Sequence, residues 1–105
     1  MAGAWVLLII AGLFEVAFTV SLKLSEGFTK LKPTVAFLIF SLLSFLCLTR
    51  TLNKIPLGTA YGVWTGMGAT GAAIIGILYF NEPYTTMRIF FITTMIISII
   101  GLKMS

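Results

Sequence analysis

The sequence predicts an all-α membrane protein with four transmembrane helices. Of its 105 residues, 59% are hydrophobic and only 10% are charged, whereas a soluble domain carries about a quarter charged residues. The apolar residues fall into four runs of about 20 residues, the length that a helix needs to span a bilayer. The runs show no sustained alternation of polar and apolar residues, which argues against the strands of a membrane barrel.

The first two predicted spans cover about residues 4–22 and 33–49. The first run lacks the basic start and the cleavage site of a signal peptide, and it contains a carboxylate, so we expect it to remain as a helix. Loop one ends at Lys32, and Pro33 is expected to open the second span, where a missing N–H costs least. A further short loop then leads to Pro56.

The last two predicted spans cover about residues 57–80 and 85–102. The short loop between them runs from Asn81 to Tyr84. We find no linker, internal repeat or extramembrane domain, so residues 1–105 are predicted to form a single transmembrane domain.

The positive charges of the loops nearly balance across the predicted membrane. Lys and Arg residues in short loops normally fix which side is cytoplasmic. One side carries three of them and the other carries four, so the sequence specifies no strong orientation. Either an unseen partner or the first helix decides the orientation, or the protein inserts both ways and pairs head to tail. The first set is Arg50, Lys54 and Lys103, and the second is Lys23, Lys30, Lys32 and Arg88.

Glu15 is the one ionisable residue at the centre of a predicted span. A carboxylate near the bilayer centre costs about 2.5–3.5 kcal/mol even on the lenient insertion scale, so such residues mark functional sites by default. The other two acids, Glu26 and Glu82, lie in loops. We therefore expect Glu15 to bind a proton or a substrate.

Small residues surround Glu15 on its helix face. Positions three and four residues apart are neighbours on a helix, and Ala11, Gly12 and Thr19 occupy such positions. Taken singly, they are explained by helix packing. Combined with a carboxylate, they favour a cavity beside Glu15. A bundle of four short helices would leave that cavity open to lipid, so at least a dimer is expected.

Two further spans offer groups that fit such a cavity. Ser41 and Ser44 form a polar edge on the second span, and their hydroxyls should bond to their own helix unless this edge faces Glu15. Tyr61 and Trp64 lie one turn apart in the third span. A carboxylate with a Tyr hydroxyl and aromatic faces makes a good site for a flat or compact cation.

The third span is also rich in glycine. Gly58, Gly62 and Gly66 repeat every four residues, which predicts a groove for close helix packing. Gly66 and Gly68 together weaken the helix and are expected to allow a bend.

Several functions are excluded by what the chain lacks. It has no His and no Asp, so no base is available beside Ser or Cys and we expect no enzyme. Cys47 is alone, so we expect no internal disulfide and no bound metal. The scattered Lys and Arg residues do not form a nucleic-acid surface, and no cofactor motif is present. A lone membrane carboxylate can bind a proton or a cation but not both, which is what a proton-coupled antiporter requires.

The residues singled out above resemble the small multidrug resistance family of bacterial exporters over essentially the full chain. The shared features are the central glutamate of the first helix, the loop from Ser25 to Thr29 before Pro33, and the segment from Ala60 to Trp64. Within the family, the segments Pro56 to Tyr61, Trp64 to Gly68 and Gly101 to Lys103 are most similar to the guanidinium-exporter subtype.

The resemblance implies proton-coupled export of small organic cations by an antiparallel dimer in the bacterial inner membrane. It implies that Glu15 binds protons and substrate in turn. Ser44, Tyr61 and Trp64 would orient or wall this glutamate, and Gly12 would leave space beside it. Lys103 would help the antiparallel partner to pack.

Phe18 departs from the guanidinium subtype, which usually has Trp one turn after the glutamate. A Phe-walled substrate pocket lacks the indole N–H and would admit more hydrophobic cations, such as quaternary ammonium compounds. The departure also fits one subunit of a heteromeric pair. A dual-topology ion channel and a non-transporting accessory subunit remain as alternatives, although a midplane carboxylate argues for exchange because a channel gains little from tight binding.

Overall fold

The computed structural model describes residues 2–105, and this part of the chain forms four α-helices connected by short loops. Each helix is long and apolar enough to cross a membrane. The predicted all-α class with four transmembrane helices is therefore confirmed. The helices are α1, Ala2–Leu24; α2, Leu31–Thr51; α3, Leu57–Tyr79; and α4, Thr86–Met104.

Seven of the eight helix ends differ from the predicted spans, each by one or two residues. Helix α1 continues to Leu24, and α2 already begins at Leu31. Pro33 is therefore the third residue of α2 and does not open it, but it still lies in the first turn, where N–H groups have no acceptor within the helix. Helix α4 begins after Thr85, whose hydroxyl accepts a hydrogen bond from the Arg88 backbone N–H at 3.1 Å. Side-chain capping thus sets the start of α4.

Helix α1 lies at the centre of the arrangement. It packs along both α2 and α3, whereas the backbone of α4 lies close to α3 only. The chain is flat, with extents of 39 × 35 × 17 Å. Its small buried core lies where α1, α2 and α3 meet, and it consists of Leu8, Ala11, Leu48, Ile55, Ala60, Val63 and Trp64.

The turn between α1 and α2 is held by Ser25. Three consecutive residues, Glu26, Gly27 and Phe28, have positive φ angles of 47°, 74° and 67°, which is costly for residues other than glycine. The fully buried Ser25 hydroxyl donates to the Leu22 carbonyl at 2.7 Å and accepts from the Phe28 N–H at 3.2 Å. This pair of bonds stabilises the left-handed turn.

Large apolar side chains cover the outer faces of α2 and α4. Leu42, Phe90 and Ile97 are each about 60% exposed, and exposure on this scale is unusual for a soluble monomer. In lipid the exposure is favourable, because the hydrocarbon tails are as apolar as these side chains.

Candidate functional site

Glu15 lies in the middle of α1 and faces α3. Its carboxyl group touches Gly68, where an added Cβ would overlap with the Glu15 Cδ and Oε1 atoms. The Oε1 atom is buried and has no hydrogen-bond partner among residues 2–105. An unpaired buried acceptor is unusual in a native protein, so this atom is available to a proton, a water molecule or a ligand.

Gly12 contacts a different residue from the one that its position beside Glu15 suggests. A Cβ at Gly12 would lie 2.8 Å from the Sδ and Cε atoms of Met67, so the Met67 side chain fills the space that this glycine leaves. The glycine that makes room for the carboxyl group is Gly68. Met67 follows Trp64 by three residues on α3, and this spacing could have identified it in the sequence.

A chain of hydrogen bonds connects the three inner helices beside Glu15. The fully buried Ser44 hydroxyl donates to the Ala11 carbonyl oxygen at 2.7 Å and accepts from the Trp64 Nε1–H at 2.9 Å. By contrast, the Ser41 hydroxyl donates to the Leu38 carbonyl of its own helix. Of the two serines of the predicted polar edge, only Ser44 therefore reaches another helix.

The Ala11 carbonyl lies one turn before Glu15. In an α-helix, the carbonyl of residue i accepts from the N–H of residue i+4, so this oxygen serves both Glu15 and Ser44. The hydrogen bonds place the Trp64 indole one helix turn from the Glu15 backbone. Sequence reasoning could not find this acceptor, because a backbone carbonyl leaves no signature in the residue pattern.

Aromatic rings extend outward from Trp64. The Tyr61 ring centroid lies 5.7 Å from that of Trp64, and the Phe45 centroid lies 5.3 Å away. Trp64 is buried, whereas Tyr61 is 56% exposed. The Trp64 indole is therefore buried and held by a hydrogen bond, whereas the Tyr61 phenol lies at the surface of the helix bundle.

Phe18 on α1 extends this group of rings, and we call Phe18, Phe45, Tyr61 and Trp64 the aromatic row. The Phe18 ring meets Phe37 edge-on at 5.7 Å and stacks near Phe45 at 6.3 Å. Phe45 connects Phe18 with Trp64, so the residue that departs from the family pattern is in indirect contact with the site. Neither Phe37 nor Phe45 was singled out from the sequence, because phenylalanine is common throughout the apolar runs.

The glycines of α3 face different neighbours. A Cβ at Gly62 would lie 3.0 Å from Leu102, and one at Gly66 would lie 3.0 Å from Ile99. Both therefore allow α4 to pack closely. A Cβ at Gly58 would meet nothing within 4 Å. Helix α3 is continuous from Leu57 to Tyr79, and the bend at Gly66 and Gly68 stays a prediction.

Lys103 is exposed near the end of α4. Its Nζ lies 5.5 Å from the centroid of the Trp5 ring on α1, within the range of a cation–π contact. In a single chain, Lys103 thus contacts α1, and its role in dimer packing stays a prediction.

Comparison with known proteins places these residues in a family. The profile of the family described as "Small Multidrug Resistance protein" matches residues 3–96. The chain is 43% identical to the "Guanidinium exporter" of Escherichia coli (strain K12) over 102 residues, which cover 97% of each chain. It is 42% identical, with the same coverage, to the proteins of that name from Citrobacter freundii and Salmonella typhimurium.

The matched proteins are exporters by name, which confirms the expectation that the chain is not an enzyme. The four membrane-spanning helices and the bacterial relatives identify a multi-pass protein of the inner membrane. The match to the family profile and the identity along nearly the whole chain show that the protein belongs to the Small Multidrug Resistance family.

Proposed function

We propose that the protein is a proton-coupled antiporter that exports small organic cations by alternating access. The observation that carries this proposal is the Glu15 carboxyl group, which faces α3 and has one buried oxygen without a hydrogen-bond partner among the described residues 2–105. The other charged residues of the four helices all lie within three residues of a helix end. Among the described residues, Glu15 is therefore the only charged group at the centre of a span.

Coupling follows from competition at one group. A protonated carboxyl group has no charge with which to hold a cation, and a bound cation favours the ionised form and displaces the proton. Release of the cation on one side of the membrane then requires a proton from that side. The proton gradient can thereby drive export of the cation.

The aromatic rings supply the second half of a cation site. Trp64 is fixed by its bond to Ser44, and the Tyr61 ring lies against it. An aromatic face attracts a cation by about 0.5–2 kcal/mol, depending on how completely water is excluded. Together with the carboxylate, these rings favour compact cations with delocalised or alkyl-covered charge.

We further propose an antiparallel homodimer. A single chain is only 17 Å across in its shortest extent. Tyr61 and Phe45, whose rings both contact Trp64, are each about half exposed. A second copy would cover this open face. The near balance of loop charges supports insertion in both orientations, and a related chain could replace the second copy in a heterodimer.

Two substrate classes fit the site. The relatives named guanidinium exporters support guanidinium and its substituted forms. Phe18, which packs against Phe37 and Phe45, presents hydrocarbon in place of a ring N–H donor. This difference supports quaternary ammonium compounds, which need no hydrogen-bond acceptors or donors from the protein.

The proposal is tested by solid-supported-membrane electrophysiology on purified protein in liposomes. Guanidinium, and separately a tetra-alkylammonium ion, is added with and without a proton gradient. Glu15→Gln should abolish the coupled current. Glu26→Gln is the matched control, because Glu26 forms only an exposed ion pair with Lys30, and it should behave as the wild type. Currents that persist in Glu15→Gln without a proton gradient would instead indicate a channel.

Phe18→Trp tests the substrate range. The added indole N–H can donate to the Glu15 carboxylate one turn away and hold it in place as the acceptor for the guanidinium N–H groups. This should raise the ratio of guanidinium to tetra-alkylammonium current severalfold, since a site that hydrogen-bonds its substrate discriminates against analogues without that group. The ratio is measured in the same liposomes at one pH. An unchanged ratio would show that Phe18 serves only in packing.

A further inference from the structure

A cavity lies between α1 and α3, on the side of the membrane that contains the loop after α3. Its volume is about 150 Å³, enough for several water molecules at about 30 Å³ each. It is distinct from the aromatic row, which follows α2 and the first half of α3. Its lining includes Thr19, Lys23, Ala72, Gly76, Phe80 and Glu82.

This cavity begins one helix turn from Glu15. Thr19 follows Glu15 by four residues on α1, a rise of about 6 Å on the same face. On α3, Gly68 touches the Glu15 carboxyl group, and Ala72 and Gly76 follow at intervals of four residues. Small side chains on α3 thus continue from the carboxyl group into the cavity.

A second carboxylate lies at the outer end. The Glu82 carboxyl group touches Gly76, where an added Cβ would overlap with its Oε1 atom. Glu82 also forms an ion pair with Arg88 at 3.1 Å, and both side chains are 37% exposed. Lys23 lies over the Phe80 ring at 5.3 Å. The mouth of the cavity is therefore charged and accessible to water.

Two polar groups along this line are free to bond to water. Half of the 14 Ser and Thr hydroxyls in the four helices donate to a backbone carbonyl three or four residues earlier, as Ser21 does to Ala17 and Thr93 does to Ile89. No such bond is found for Thr19 within residues 2–105, and the buried Oε1 atom of Glu15 is also unpartnered there. A water molecule between them would satisfy both.

We infer that this cavity is a proton route to Glu15, separate from the cation site, with Thr19 as its relay and Glu82 at its mouth. The inference rests on the proposed proton-coupled transport. A proton enters from water near Glu82 and passes along water molecules to the Thr19 hydroxyl. The hydroxyl accepts this proton and passes its own to the next water, which protonates the Glu15 carboxylate. Thr19 is unchanged at the end, and no other group is consumed.

The separation has a consequence for transport. An organic cation must pass Lys23 and displace the water molecules of the cavity, whereas a proton moves by transfer from one water molecule to the next. In the proposed antiparallel dimer, the routes of the two protomers open toward opposite membrane faces. Coupled transport then requires each route to conduct protons only in the state whose cation site is open to the same membrane face.

Thr19→Val and Ala72→Val test the route. The first removes the hydroxyl at constant shape, and the second adds bulk to the cavity wall. Proton release on mixing with guanidinium is followed in detergent with a pH-sensitive dye by stopped flow, and equilibrium guanidinium affinity is measured at the same pH. A route affects rates but not equilibria, so each variant should slow proton release about tenfold with unchanged affinity. Thr19→Ser should restore the rate.

The controls are Thr93→Val, whose hydroxyl bonds to its own helix, and Ala69→Val, which changes an exposed position of α3. Both should match the wild type. Wild-type release rates in Thr19→Val and Ala72→Val would overturn the route while leaving the antiport proposal intact. A loss of guanidinium affinity equal to the loss of rate would also overturn it, because that result indicates a structural role. Absence of proton release from the wild type would instead refute the proposed function.

Discussion

Gly68→Ala is the substitution for which the structure makes the sharpest prediction. The added Cβ would overlap with the Cδ and Oε1 atoms of Glu15 and lie 2.7 Å from Oε2. Ordinary contacts of a Cβ begin at 3.4 Å. The Glu15 carboxyl group must therefore leave its position against α3, while the rest of α1 can remain in place.

The expected effects on binding and on stability differ. A displacement of about 1 Å at a reactive group can cost about a hundredfold in activity, so we expect guanidinium affinity to fall by about ten- to a hundredfold. The displaced atoms end a flexible side chain, and alanine favours a helix over glycine by about 1 kcal/mol. The free energy of unfolding should thus change by less than about 1 kcal/mol.

Binding is measured by calorimetry in detergent, and stability by unfolding monitored through circular dichroism. Gly58→Ala is the matched control on the same helix, because its Cβ would meet no atom within 4 Å. It should keep wild-type affinity. Equal guanidinium affinities for Gly68→Ala and Gly58→Ala would refute the placement of Glu15 against Gly68.

Two further substitutions test the buried hydroxyls. Ser44→Ala leaves the Trp64 Nε1–H buried without its acceptor and should lower the free energy of unfolding by about 1–3 kcal/mol. Ser41→Ala removes only a bond within its own helix and should lower it by less than about 0.5 kcal/mol. Similar losses in both variants would contradict the interhelical bond. Ser25→Ala removes the partner of the Phe28 N–H and should cost about 1 kcal/mol and speed amide exchange at Phe28. Unchanged exchange there would show that Ser25 does not hold the turn.

Much of the candidate site could be predicted from the sequence, because its signals are local. Glu15 stands out as a charge within an apolar run, and Tyr61 and Trp64 share a helix face by their spacing. The partners of these residues could not be predicted. Ser44 bonds to the backbone of Ala11, and neither the acceptor nor the register between α1 and α2 appears in the residue pattern.

The neighbours of the glycines could not be predicted from the sequence either. A repeat of small residues predicts that a helix approaches closely, but it does not say which one. Gly62 and Gly66 face α4, Gly68 faces Glu15, and Met67 occupies the space beside Gly12. Each outcome depends on how far one helix is rotated against the next.

The sequence by itself determined the four membrane spans, the lack of His and Asp residues, and the single carboxylate at the centre of a span. These properties depend on the transfer of each segment from water into lipid, which is a sum over neighbouring residues. Only the tertiary structure decided that Gly68 makes room for Glu15 and that Ser44 joins Trp64 to α1. Such contacts are decided by shape and hydrogen bonding between distant segments, because lipid gives apolar helix faces no preference for one another.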